Sequence, residues 1–203
     1  MMTPCLRFIA VLALCAASFA SALPAYAEIA PRPPATPDQD KPPRAAVLDA
    51  LFADLANARN AQEGAAIQQL IQKVWLESGS PSIDLLMSHG IDAFDDKDYD
   101  RAFFYFNEVV SLDPGYAEGW HKRATVLYLK NDFSGALADL EHVLRIEPRQ
   151  YMAMGGLALM LEELGDKKGA LEVFRRALSV NPWLDGAAQS EKSLSLDVEG
   201  RGI

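Results

Sequence analysis

Cysteine is all but missing from this 203-residue chain: there are two, Cys5 and Cys15, and both lie within the first 27 residues. Histidine is scarce as well, at three, and cations are outnumbered, 19 Lys and Arg against 28 Asp and Glu, for a net charge of −9. An acid excess excludes a general nucleic-acid binder, whose footprint is basic. The one long apolar run, Phe8 to Ala20, holds 13 residues, fewer than the ~20 a membrane-spanning helix needs. Proline becomes rare after residue 44, with only four in the remaining chain.

What is present is unevenly spread. Residues 1–27 hold 21 apolar residues, the single cation Arg7 and no acid, and end in Ala25-Tyr26-Ala27. A positive start, an apolar core and a small-x-small end make an export signal, with cleavage expected after Ala27 and a periplasmic destination. Leu14 stands where bacterial lipoprotein signals carry a small residue before the cysteine, so no lipid anchor at Cys15 is expected. Cleavage removes both cysteines and Arg7, leaving a charge of −10, no disulfide and no cysteine metal site. Residues 28–44 then place six prolines in 17 positions, a polyproline-like tether.

Of the four later prolines, Pro114, Pro148 and Pro182 are 34 residues apart. Aligned on them, Ala102, Ala136 and Ala170 superpose, as do Phe106, Leu140 and Phe174, Gly90, Ala124 and Ala158, Asp98, Asp132 and Asp166, and the large apolar Leu86, Trp120 and Met154. A period of this size marks a repeat architecture. Each unit reads as two apolar-periodic segments around a short polar turn, an αα-hairpin. Asp98, Asp132 and Asp166 stand where an N-cap is wanted, and Asn131 and Gly165 where a helix ends left-handed.

The pattern resembles the tetratricopeptide repeat (TPR), carried by Gly90, Ala102, Phe106 and Pro114, then Trp120, Ala124, Ala136 and Pro148, then Ala158, Ala170, Phe174, Ala177 and Pro182. The resemblance implies an all-α, right-handed solenoid of helix-turn-helix hairpins with helical caps, in an exported bacterial protein. The units are 82–116, 117–150 and 151–184. Residues 45–81 form a helical pair, with Leu48, Leu51, Phe52 and Leu55 on one face and Ala66, Leu70, Val74 and Trp75 on the other helix. It reads as a degenerate TPR-like cap on the N-terminal end. Residues 185–203 complete the other end, with a helix expected from Trp183 to Leu194 and a tail beyond.

Chemistry is sparse. His89, His121 and His142 are never three or four apart, and HExxH, GxSxG and GxxxxGK[ST] are missing, so neither an enzyme, a metal site nor a cofactor is expected. His89 reads as a core or interhelix residue and His121 as the one groove histidine. The family implies that first helices line a groove, here Met87, Ile91 and Phe94, then His121, Thr125 and Tyr128, then Met152, Gly155 and Leu159. These apolar and aromatic positions suit a protein or peptide partner with apolar side chains, so the function implied is a non-enzymatic protein-interaction adaptor. The carboxylate clamp of some relatives is not matched, because Met87, Ile91, Lys122, Met152 and Gly156 supply one cation. Gly155 and Gly156 each cost a helix ~1 kcal/mol relative to Ala; they would let a partner backbone come close or allow tight packing on the preceding unit, and packing is the favoured role. The alternative function is a self-associating scaffold, with Trp183 and the C-terminal helix as a homodimer face.

Overall fold

The computed structural model describes residues 43–200; the leader and nearly all of the proline-rich tether lie outside them. Nine helices and no strand are found among the described residues: α1 (Arg44–Ala56), α2 (Ala61–Leu76), α3 (Pro81–Asp95), α4 (Tyr99–Leu112), α5 (Ala117–Leu129), α6 (Phe133–Ile146), α7 (Tyr151–Glu163), α8 (Lys167–Val180) and α9 (Ala187–Glu199). Helices α3 to α8 form three stacked hairpins, so the chain is an all-α repeat solenoid.

The same local chemistry closes every hairpin. Lys97, Asn131 and Gly165 take φ of 61°, 63° and 87°. Each turns the chain so that the following aspartate's N–H reaches back to Ala93, Leu127 or Leu161 carbonyl oxygen, at 2.9, 2.9 and 2.8 Å, the hydrogen-bond pattern of a Schellman end. The same aspartates, Asp98, Asp132 and Asp166, then accept the N–H of Arg101, Gly135 and Gly169 as N-caps of the second helices. Lys97 does the work of Asn131 and Gly165 without being a residue type that favours positive φ.

Small residues set the helix spacing both inside the units and between them. A Cβ on Gly90 would stand 2.4 Å from the Phe106 ring, and one on Gly119 would stand 2.6 Å from Val109. Ala102, Ala136 and Ala170 are fully buried in the same way. The stack therefore packs at the density of a protein interior, where one added methyl is felt.

The N-terminal pair α1–α2 is a helical hairpin, but it is not a cap on the end of the stack. It runs along one edge, over the links that join each repeat to the next. Leu48, Leu55, Ile71 and Trp75 are buried together with Tyr151, and Trp183 and Leu184 pack against them. Tyr116 donates to the Leu76 carbonyl at 2.7 Å, Gln68 donates to the Trp183 carbonyl at 3.0 Å, and Arg149 pairs with Asp49 at 2.6 Å while lying over the Phe52 ring. Tyr116, Gln150 and Leu184 are equivalent positions of successive links.

The buried stripe of α2 is accordingly Gly64, Ile71 and Trp75, with Ile67 partly covered. Ala66 and Leu70, expected in the core, are exposed. The reason is Trp183: a Cβ on Gly64 would be 2.5 Å from its indole, so the ring docks only where α2 carries no side chain. Trp183 to Asp185 also form a loop in which the Trp183 N–H donates to Asn181, so α9 starts later than expected, after Gly186 at φ 73°, and runs on to Glu199.

Candidate functional site

Helices α3, α5 and α7 are the first helices of their hairpins, and the 34-residue register brings their equivalent positions onto one face. Three cavities lie along it, between α3 and α5, between α5 and α7, and between α7 and α9. The first, about 160 Å³, is lined by Ile91, Phe94, Asp95, Phe106, Lys122 and Thr125. The second, about 180 Å³, is lined by His121, Thr125, Tyr128, Gly156 and Leu159 with Ala124, Leu140 and Met160 beneath. The third, about 320 Å³, has Met152, Gly155, Gly156 and Leu159 on one wall and Leu184 to Ala187 on the other. Apolar cavities of about 150 Å³ hold a benzene-sized group, so each can accept a large side chain.

Eight of the nine sequence-selected positions line these cavities. Met87 does not: it is 2% exposed, packed with Ile83, Phe106 and Tyr116, because a long apolar chain near the middle of α3 completes the first repeat's core. Met152 divides itself between the third cavity and the hairpin's core. Leu159, 54% exposed, stands between the second and third cavities.

His121 borders the second cavity but is only 7% exposed. Its Nδ1 lies 3.3 Å from Glu118 Oε1 and 3.3 Å from Gln150 Nε2, and Gln150 Nε2 also donates to Glu118 at 3.0 Å. Lys122 Nζ is 3.4 Å from the same carboxylate. Burial of Glu118 opposes its ionisation, but His121 and Lys122 beside it prevail, so its carboxyl titrates below the usual range. This buried Glu118–His121–Gln150 group escaped sequence reasoning, because Gln150 sits in a link 32 residues from Glu118. Thr125 donates to the His121 carbonyl, and Tyr128 reaches across to Glu163, donating at 3.0 Å.

His89, expected in the core or between helices, is exposed and rests on Tyr105 of α4 at 5.4 Å between ring centroids, so it makes the interhelix contact but is not a core residue. It occupies the register position that meets a preceding repeat in later units, and among the described residues no repeat stands there. Gly155 and Gly156 are not packing glycines either. A Cβ on Gly155 would meet only Leu184, at 3.7 Å, and one on Gly156 only Leu140, at 3.9 Å, both ordinary contacts. Their effect is to widen the cavities. Trp183, the expected centre of a homodimer face, is engaged within the chain by Gly64 and the hairpin.

Among the described residues no cluster of His, Cys, Asp and Glu is arranged to hold a metal ion, and no helix is long and apolar enough to cross a membrane.

Comparison with known proteins decides the family. A TPR repeat-containing protein of Rhizobium etli is 34% identical over 147 residues, 72% of each chain. The chain belongs to the tetratricopeptide-repeat family. The family's own profile, Tetratricopeptide repeat, matches residues 153–182, the third TPR unit. Among solved structures, the Arabidopsis OM64 TPR domain superposes with a TM-score of 0.53 at 25% identity, covering 56% of this chain and 93% of that one. The first TPR of Spaghetti (RPAP3), bound to the HSP90 peptide SRMEEVD, gives a TM-score of 0.55 at 18% identity, covering 58% and 93%, a likeness of fold.

Proposed function

We propose that this TPR protein is an exported, non-enzymatic adaptor that holds a segment of a partner protein across α3, α5 and α7. The observation that carries the reading is the row of three apolar cavities at equivalent positions of successive units. Two further features support it. Glycines in α7 sacrifice helix stability at the groove, where no close packing requires them. A TPR of the same fold has a peptide bound in its structure. The leader Met1–Ala27, with its single cation and 13-residue apolar core, supports export to the periplasm with a mature start at Glu28.

Crosslinking the tagged protein in the envelope, beside a Tyr128→Ala, Leu159→Ala variant of unchanged melting temperature, tests the groove. Partners captured by the parent and lost by the variant are expected; the same partners in both overturn the reading. Mass spectrometry of the N-terminus tests export, with an intact Met1 the contrary outcome.

A further inference from the structure

We infer that the segment held in this groove is cationic as well as apolar, an amphipathic stretch of large apolar residues and Lys or Arg. The inference rests on the groove reading above and adds the partner's charge.

Each cavity has an apolar floor and a carboxylate at its margin. Asp95 lines the first, Glu163 stands at the second where Tyr128 donates to it, and Asp185 lines the third. Asp95 and Glu163 are the last residues of α3 and α7. There the helix macrodipole already presents negative potential, so a carboxylate is disfavoured and a cation from outside is favoured. Neither Asp95 nor Asp185 has an ion-pair partner among the described residues.

The cation within the groove is spoken for. Lys122 lines the first cavity but leans on the buried Glu118, and His121 leans on the same carboxylate. Elsewhere Arg101 serves Asp96 and Asp98, Lys130 serves Asp100, Arg123 serves Asp139, and Lys167 serves Asp197. An acidic ligand such as SRMEEVD, with three carboxylate side chains, would meet a carboxylate at each cavity, offset only at the first by Lys122, which is paired with Glu118; a basic one meets its complement. Complementary charge at an exposed rim sets selectivity and on-rate, and is weakened by salt.

The test is fluorescence anisotropy of the purified protein with three dye-labelled 14-residue amphipathic peptides of one pattern, built from Leu with Lys, Leu with Gln, or Leu with Glu. The Leu–Lys peptide is expected to bind at least tenfold tighter than Leu–Gln, and Leu–Glu weakest. Asp95→Asn with Glu163→Gln should cut the Leu–Lys advantage about threefold or more, as should 0.5 M NaCl. Equal binding of Leu–Lys and Leu–Gln overturns the charge inference and leaves the groove intact. Failure of all three, or Leu–Lys binding unchanged in both Gly156→Trp and Gly155→Trp variants that melt like the parent, overturns the groove reading itself. A Cβ at either glycine makes only ordinary contacts, and either variant suffices if the other misfolds.

Discussion

The two ends of the stack share one repeat register and present opposite surfaces. At the C-terminal end α9 covers α8, burying Ala187 and Leu194, and its outer side is tied down by charge: Arg175 to Glu191 and Glu199, Lys167 to Asp197. At the N-terminal end the positions that meet a preceding repeat elsewhere are open. Leu85 is the counterpart of Gly119, which abuts Val109, and of Ala153, which is fully buried, yet Leu85 is 58% exposed. His89 is the counterpart of Arg123, which reaches Asn107 at 2.8 Å, and it finds only Tyr105. A repeat sequence thus specifies a sticky face at each unit without specifying that a neighbour exists. The helical pair that could have supplied one was drawn to the edge by Trp183 and Tyr151.

The largest contrast is expected from one substitution made at one register position of two repeats. Ala153→Asp leaves a carboxylate in the core and costs about 4 kcal/mol or more. Leu85→Asp at the open end stays within about 0.5 kcal/mol. Urea denaturation measures both, and equal costs would mean that the N-terminal face is covered in solution. Next, Leu194→Ala, under α9, should cost about 3 kcal/mol, with α9 amides exchanging before those of α3 to α8.

Between the first and third repeats the glycines should differ in sign. Gly90→Ala forces a methyl against Phe106 and costs about 1–3 kcal/mol. Gly155→Ala gains up to about 1 kcal/mol of helix stability while narrowing the third cavity. Thermal melts of the pair decide this, and a destabilised Gly155→Ala would restore the packing role.

The smallest effect is acid-dependent. Hydrogen bonding from Arg175, then Ser195, lowers the Glu199 carboxyl from 4.5 to about 2. A group depressed in the folded state stabilises above its unfolded pKa and loses that contribution as pH falls through the folded value. Protection of α9 should therefore decline between pH about 4.5 and 2, modestly because the pair is exposed. An Arg175→Ala variant should lack that step in hydrogen exchange.

Much of this was legible in the residues. The caps Asp98, Asp132 and Asp166, the left-handed Asn131 and Gly165, and the Gly90–Phe106 fit depend on neighbours within one hairpin, and a 34-residue period displays them three times over. The same register placed eight of the nine selected positions at the cavities, with Met87 lost because a methionine in the second turn of α3 can fold inward as readily as outward. The burial of His121 required Glu118 and Gln150 from different elements, which no local pattern announces. Lys97 took a positive φ because the turn around it, closed by Asp98, compels it.

By itself, then, the amino-acid sequence determined the helices, their turns and the three-unit stack, since these rest on hydrogen bonds and packing among residues a few positions apart. Tertiary structure alone decided where the α1–α2 hairpin lies, which end of the described stack stays open, and that Trp183 packs on Gly64, 119 positions away. Such choices depend on which apolar surfaces meet across the folded chain, and burial is non-directional until shape selects among the candidates.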